Sequence, residues 1–338
     1  MSASAPQQAS TLLDQAELQA RCLEPLSKAQ GLALFRLKQR GAVVSPLEGL
    51  FIRTEAWDQL NPVEKHLHIA RALHERHPHW IFCGPTAAAA HGLAINYKFL
   101  HHIHLCHPTD TNRKTGLLTH HRFNSQMINP QYPLEFHAGI PVVSLEAAAV
   151  QCLCLMDFTD GLSIADSTLR ATGKSVGWLG AQIDELGHGF RGIKQARITA
   201  RFANALSENG GESTARAKMI KLGFHIPELQ VNVTDSLSGS HYRVDYYWTC
   251  DDGSAIAGEL DGRQKYSDPT MTQGHTSVEV FAEERLRESR ITREMRVVRF
   301  SYANVCDSNY FQALLDSYHV PRVSCPPVTT AAQRKRRG

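Results

Sequence analysis

The stretch GELDGRQKY, Gly258 to Tyr266, ends an apolar run with two acids, Glu259 and Asp261, followed by Gly262 and Lys265. In an extended strand positions i and i+2 point to one face, so both carboxylates look one way and Leu260 looks the other. The turn CDDGS joins this segment to YRVDYYW, and a hairpin centred on Asp252 sets Asp245 directly opposite Glu259. Val244, Tyr246 and Trp248 then share a face with Ile256 and Leu260, while Asp245, Glu259 and Asp261 gather on the other. Opposed carboxylates, with Cβ atoms about 4.5 to 5.5 Å apart, destabilise a sheet unless a cation offsets them. A hard divalent ion, Mg2+ or Mn2+, suits oxygen ligands and keeps water for chemistry or for a phosphate, so Asp245 and Glu259 are the expected metal ligands. Lys265 adds the positive charge that phosphodiester hydrolysis wants near the attacking water or the phosphorus. Glu212 stands in the first turn of the helix ESTARAKMIKL, where the dipole favours an acid and Arg216 lies one turn on; it either pairs there or completes the acidic cluster from the side. The competing reading is a solvent-facing edge hairpin whose acids serve solubility.

Three strands, LQVNVT, YRVDYYW and SAIAGEL, carry this constellation, and the helix that holds Glu212 precedes them after a break at SENGG. RITARFANAL reads as a further helix before that break. After the acids come a charged helix, SVEVFAEERLRESRI, a strand, RVVRFSY, and a closing helix near NYFQALLDSY. Arg285, Arg287, Arg290 and Arg293 either line a phosphate path or form a solvated face.

At 338 residues with 42% hydrophobic content, the chain is long enough for two or three domains with ordinary cores. A formal charge of +3 leaves a nucleic-acid partner open without requiring one. The polar start MSASAPQQAS is no signal peptide, and no apolar run reaches the length of a membrane span, so a cytoplasmic address without membrane association is expected. Eight cysteines without CxxC spacing fit reduced thiols. The last stretch, SCPPVTTAAQRKRRG, reads as a disordered basic tail.

Near the start, LALFRLKQR closes on Gly41 as a helix stop, and GAVVSPLEGLFIR reads as a short hairpin. Helices followed by a two-stranded wing suggest a small winged helix-turn-helix, in which Arg36, Lys38, Gln39 and Arg40 approach DNA; the alternative use of the same segment is packing or dimerisation. The middle opens with Asn61-Pro62 as N-cap and first helical residue. A short strand at WIFC and a helix in TAAAAHGL capped by Thr86 come next, then strands and helices in alternation. Histidines crowd here, and His102 and His104 share a strand face that His120 on a neighbour would turn into a zinc site; half-exposed strand histidines are the plainer reading. The P-loop pattern is absent.

The order ESTAR, YRVDYYW, GELDGRQKY, EERLRESRI and RVVRFSYANV, across Glu212 to Leu315, resembles the Vsr-like (very-short-patch-repair-like) endonucleases of the PD-(D/E)XK fold. That resemblance implies an α/β core with a mixed sheet, magnesium on Asp245 and Glu259, and help from Glu212. Typical members of the wider fold have lysine two residues after the glutamate; here that position is Asp261, and Lys265 replaces a later histidine. Either the lysine has migrated and serves the same role, or the site binds without cutting. The region Leu12 to Gly173 is similar to the AbiEi antitoxins of type IV toxin–antitoxin systems through LFRLKQRGAVVSPLEGLFIR, TAAAAHGL and GIPVVSLEAAAV. Those antitoxins are winged-helix DNA binders that repress their own operons, which implies DNA and a cognate toxin as partners in a toxin–antitoxin or phage-defence setting.

The expected architecture is therefore α/β, α+β overall, with a winged-helix-like segment at 11–60 and a mixed α/β domain at 61–192. A restriction-endonuclease-like core at 200–322 and the tail at 323–338 follow. The expected function is a DNA-directed, magnesium-dependent phosphodiesterase, with a non-catalytic DNA-binding repressor as the alternative.

Overall fold

The computed structural model describes residues 5–107, 113–122, 128–236, 239–261, 292, 295–324 and 328. The chain divides into two compact units, one of Met1–Met156 with Gly177–Arg197 and one of Asp157–Val176 with Ile198–Gly338. Both mix helices with small sheets, which makes the protein mixed α/β. No described helix is long and apolar enough to cross a membrane, and each described cysteine is a free thiol.

In the first unit α1 (Ala5–Leu18) and α2 (Lys28–Gln39) close over Ala9, Leu13, Ala16, Leu23 and Leu34, joined by Val43 and Phe51. Ser27 caps α2 by accepting the Gln30 N–H, and Gly41 follows the helix at φ 73, a left-handed turn that glycine adopts without a Cβ clash. The hairpin β1 (Val43–Leu47) and β2 (Leu50–Arg53) comes next, then α3 (Thr54–Gln59). Helix α4 (Pro62–Arg76) starts where the sequence places it, with an Asn61/Glu64 capping box and Pro62 in its first turn.

Two expectations for the next segment change. WIFC contributes only an isolated bridge at Phe82, to Leu105 and Val142, instead of a strand. Helix α5 (Gly84–Ala90) begins two residues before Thr86, whose hydroxyl accepts the His104 N–H and bonds His66, so it is unavailable as a cap. A three-stranded sheet sets β3 (Ile103–His107) parallel to β5 (Leu118–Arg122), with β4 (Arg113–Thr115) antiparallel at the other edge of β5. The short hairpin β6 (Glu135–His137) and β7 (Ile140–Val142) leads into α6 (Leu145–Leu155).

The helix α7 (Phe158–Thr172) belongs to the second unit, while α8 (Val176–Leu186) lies almost wholly in the first. Helix α9 (Ile193–Ala200) stops short of the RITARFANAL pattern, whose end is turns. Helix α10 (Gly210–Leu222) is capped by Asn209 and stopped by Gly223 at φ 84. Four strands follow in the spatial order β8, β9, β10, β11: β8 (Glu228–Thr234), β9 (His241–Thr249), β10 (Ala255–Asp261) and β11 (Arg296–Ser301). The first three are an antiparallel meander and β11 is parallel to β10. Helices α11 (Tyr302–Cys306) and α12 (Ser308–Ser317) complete the unit.

One sheet face carries Tyr246, Trp248, Ile256, Val298 and Phe300 against Ala215 and Met219 of α10 and Phe311 and Leu315 of α12. Gly258 is required by this packing, because a Cβ there would sit 3.0 Å from the Trp248 ring. Leu260 joins the same cluster, as the alternation predicts. Val244 does not: it packs with Val233 and Ala257. The alternation breaks one residue away, where Gln230 takes φ 55 and drops out of the β8–β9 ladder.

Between α7 and α10 lies a buried ion pair. Arg216 and Asp166, 2% and 0% exposed, meet through Nη2 at 2.7 Å from both carboxylate oxygens. Two further hydrogen bonds hold the pair: Arg216 Nη1 donates to Phe202 O at 2.6 Å, and the Asn204 N–H donates to Asp166 at 2.7 Å, while Arg216 Nε is buried without a partner among the described residues. Arg216 therefore does not pair with Glu212 along the helix surface, because the inward-facing bidentate partner is better matched to a guanidinium.

Candidate active site

The β9–β10 ladder pairs Thr249 with Ala255, Trp248 with Ile256, Tyr247 with Ala257 and Tyr246 with Gly258, which is the register the turn CDDGS predicts. One position further, Asp245 stands level with Glu259. Here side chain replaces main chain: Asp245 Oδ2 accepts the Leu260 N–H at 3.0 Å. On the other side β11 sets Arg299 opposite Glu259. Across β8 the ladder joins Leu229 to Tyr246 and Val231 to Val244, so Gln230 falls level with Asp245. A polar row thus runs across all four strands at one level: Gln230, Asp245, Glu259, Arg299.

Among the described residues, an arginine of the chain itself stands beside the acids of β10. Arg299 Nη2 lies 2.9 Å from Glu259, which is 6% exposed, and Nη1 lies 3.7 Å from the half-exposed Asp261. Nothing in the hairpin pattern announces Arg299, because it arrives by a parallel pairing from a distant segment. Asp245 gains no such partner from β11, and its field reaches Glu212 instead.

Glu212 enters from the first turn of α10. It is held by the Glu208 N–H at 2.7 Å, Asn209 Nδ2 at 2.6 Å and Gln230 Nε2 at 3.3 Å. Burial, with the negative field of Asp245 added, pushes its carboxyl up to about 7 despite the Glu208 N–H, which acts the other way. The backbone of the same residue anchors the sheet: Tyr246 Oη donates to Glu212 O at 2.9 Å.

The raised value has a measurable consequence. The native state holds a proton that the unfolded chain, ionising near 4.5, releases, so this group's stabilisation is complete at low pH and lost as pH rises toward about 7. Glu212→Gln is expected to remove that slope, and Asp245→Asn to shift it to lower pH; denaturant midpoints between pH 4.5 and 8 measure both. Identical slopes in wild type and Glu212→Gln would assign the titration elsewhere.

A hard divalent ion fits the donors present. Gln230 Oε1 is buried without a hydrogen-bond partner among the described residues, and it lies in the row next to Asp245. Carboxylate and carboxamide oxygens are what magnesium takes. Among the described residues Glu212, Asp245 and Glu259 do not bring three ligand oxygens within 4.8 Å of one another.

The other candidates are placed as follows. Lys265, Arg285, Arg287, Arg290 and Arg293 lie outside the described residues. Arg36, Lys38 and Arg40 are exposed at the end of α2, in the first unit. At the strand histidines, the register sets His120 opposite Leu105, and His104 Nδ1 meets His121 Nε2 at 2.7 Å, with burial driving the His104 imidazole down to about 3.

No family model matches the chain. Two uncharacterized proteins of Mycobacterium tuberculosis, from strains H37Rv and CDC 1551, are each 29% identical to it over 171 residues, which is 50% of this chain and 59% of theirs. The chain thus matches less than two thirds of the length of these relatives. Among solved structures, that of the RV2827C protein from Mycobacterium tuberculosis is similar over 68% of this chain and 89% of that one, at 15% identity and a TM-score of 0.34.

Proposed function

We propose that the second unit is a DNA-directed, magnesium-dependent phosphodiesterase of Vsr-like, PD-(D/E)XK type. One observation carries this reading: the polar row Gln230, Asp245, Glu259, Arg299 crosses the sheet at a single level, with Glu212 beside it on α10. A mixed four-stranded sheet flanked by that helix supports a restriction-endonuclease-like core.

Asp245 and Glu259 would hold the metal, with Gln230 Oε1 as a neutral oxygen beside them. Bound there, magnesium supplies charge compensation to the phosphate and lowers the pKa of water. Arg299 orients Glu259 through the 2.9 Å ion pair, and stands near the position left without a lysine by Asp261. With its carboxyl at about 7, Glu212 exchanges a proton near neutral pH, as a general acid or base must. Lys265 is assigned the phosphate charge. Incubation with supercoiled plasmid and single-stranded DNA in Mg2+ or Mn2+, against an EDTA control, is expected to give nicked or shortened products. Intact substrate at excess protein overturns the catalytic reading.

A second reading, the AbiEi-type antitoxin that binds DNA as a repressor, is favoured by the first unit. Helix α2 leaves Leu32 59% and Phe35 51% exposed, next to exposed Arg36, Lys38, Gln39 and Arg40, ahead of the hairpin β1–β2. In a winged helix this face reads DNA. Changing Arg36 and Arg40 to Ala is expected to weaken binding to the protein's own upstream DNA and to reduce the log–log salt slope by about 1.8, roughly 0.9 for each phosphate no longer neutralised. An unchanged slope in mobility shifts removes α2 from the interface.

A further inference from the structure

We propose that His91, Glu135 and His137 of the first unit form a binding site for a zinc-class divalent cation. Nδ1 of His91, a carboxylate oxygen of Glu135 and Nε2 of His137 all lie within 4.8 Å of one another, the one such convergence of three among the described residues.

Local structure sets two of the ligands. Glu135 and His137 are i and i+2 on β6 and share a face. The turn that follows is Ala138 at φ 50 and Gly139 at φ 80, the two left-handed residues of a tight hairpin, and it fixes His137 opposite Ile140. Arg71 clamps this turn by donating from Nε to Ala138 O at 2.5 Å. The hairpin therefore presents both side chains before any ion arrives.

His91 is oriented from behind. It caps the end of α5, its side chain is 1% exposed, and its Nε2 lies 2.8 Å from Val143 O. A carbonyl only accepts, so Nε2 carries the hydrogen and the neutral ring has its lone pair on Nδ1. That lone pair faces Glu135 Oε2 at 4.0 Å. Glu135 Oε2 also meets His137 Nε2 at 2.8 Å, so the three side chains converge where one cation would touch each of them. A proton would place that charge on a single buried ring, whereas a divalent ion shares it over three ligands. A metal-bound histidine typically donates its other ring N–H to a carbonyl or carboxylate, and Val143 O is that partner here.

The distances suit zinc. Tetrahedral ligands at bonds of roughly 2.0 to 2.1 Å stand about 3.3 Å apart. Here His137 Nε2 is 2.8 Å and His91 Nδ1 is 4.0 Å from Glu135 Oε2, on either side of that value, and the His91 and His137 rings are 4.5 Å apart at 53°. Rotation of the half-exposed His137 and of Glu135 closes the difference while His91 stays fixed. Two imidazoles and one carboxylate favour zinc over magnesium, and three ligands leave the fourth position to solvent on the side where His137 is 47% exposed.

The test uses the full chain stripped of metal. Equilibrium dialysis against zinc with elemental analysis is expected to show one more tightly bound ion per chain in wild type than in Glu135→Gln/His137→Ala. The affinity of the variant for that ion should fall at least ~10-fold. Cobalt substitution should give the visible absorption of a tetrahedral site in wild type and not in the variant, and a large excess of magnesium should leave it unchanged. His137 is exposed and Glu135 partly so, and the variant is expected to fold, with an unchanged far-ultraviolet spectrum. Equal zinc stoichiometry in the two proteins, or none in wild type, overturns the site. So does a variant that loses zinc together with its fold while His137→Gln, which keeps the fold, binds as wild type does.

Discussion

Glu259→Gln is expected to lower magnesium-dependent DNA cleavage at least ~100-fold, equivalent to about 2.7 kcal/mol of transition-state stabilisation. The substitution keeps volume and hydrogen-bonding shape but removes the charge that would bind the metal and that Arg299 now neutralises at 2.9 Å. Asp261→Asn is the matched comparison. Asp261 is on the same strand face but half exposed and 3.7 Å from Arg299, so its loss should change the rate less than about threefold, as expected of an exposed pair. Single-turnover nicking of supercoiled plasmid measures both, with heat-denaturation curves confirming that each variant is folded. If Glu259→Gln cuts as fast as wild type, the polar row is not the catalytic centre. If Asp261→Asn loses as much as Glu259→Gln, the acids act as one cluster, and Asp261 belongs among the metal ligands.

Asp166→Ala is expected to destabilise the second unit by about 3 to 5 kcal/mol, because it strands the Arg216 guanidinium, 2% exposed, without its anion. It also leaves the Asn204 N–H without its acceptor. For a domain of this size that is a fall of roughly 10 °C in Tm. Replacing both members, Asp166→Ala with Arg216→Met, should recover much of the loss, since the cost comes from an unpaired buried charge more than from the missing attraction. Amide exchange in α7 and α10 reports the change in the right unit. A loss below about 1 kcal/mol would show that Arg216 finds water or another partner, and that the pair does not hold the two helices together.

Legibility differed by the distance over which a feature is specified. The β9–β10 register could be written down because a tight turn with Gly253 at φ 80 joins the strands, and alternation of acids with aromatics fixes which face is buried. The cap at Asn61 and the stop at Gly41 are local for the same reason: each is settled within one helical turn. Thr86 shows the limit of such signals. Its residue type is a good cap, yet its hydroxyl is taken by His66 and the His104 backbone.

By itself the sequence determined the mixed α/β character, the hairpin that sets Asp245 level with Glu259, and the placement of Glu212 at a helix start. Only the tertiary structure decided what these groups meet. Arg299 reaches Glu259 through a parallel pairing whose strands are separated by a long connection, Arg216 turns from its neighbour on the helix to Asp166, and His91 joins Glu135 and His137 from another element. Such partners are set by closing long loops around a packed core. The free energy that selects them is spread over many buried side chains and leaves no periodic mark near the residues concerned.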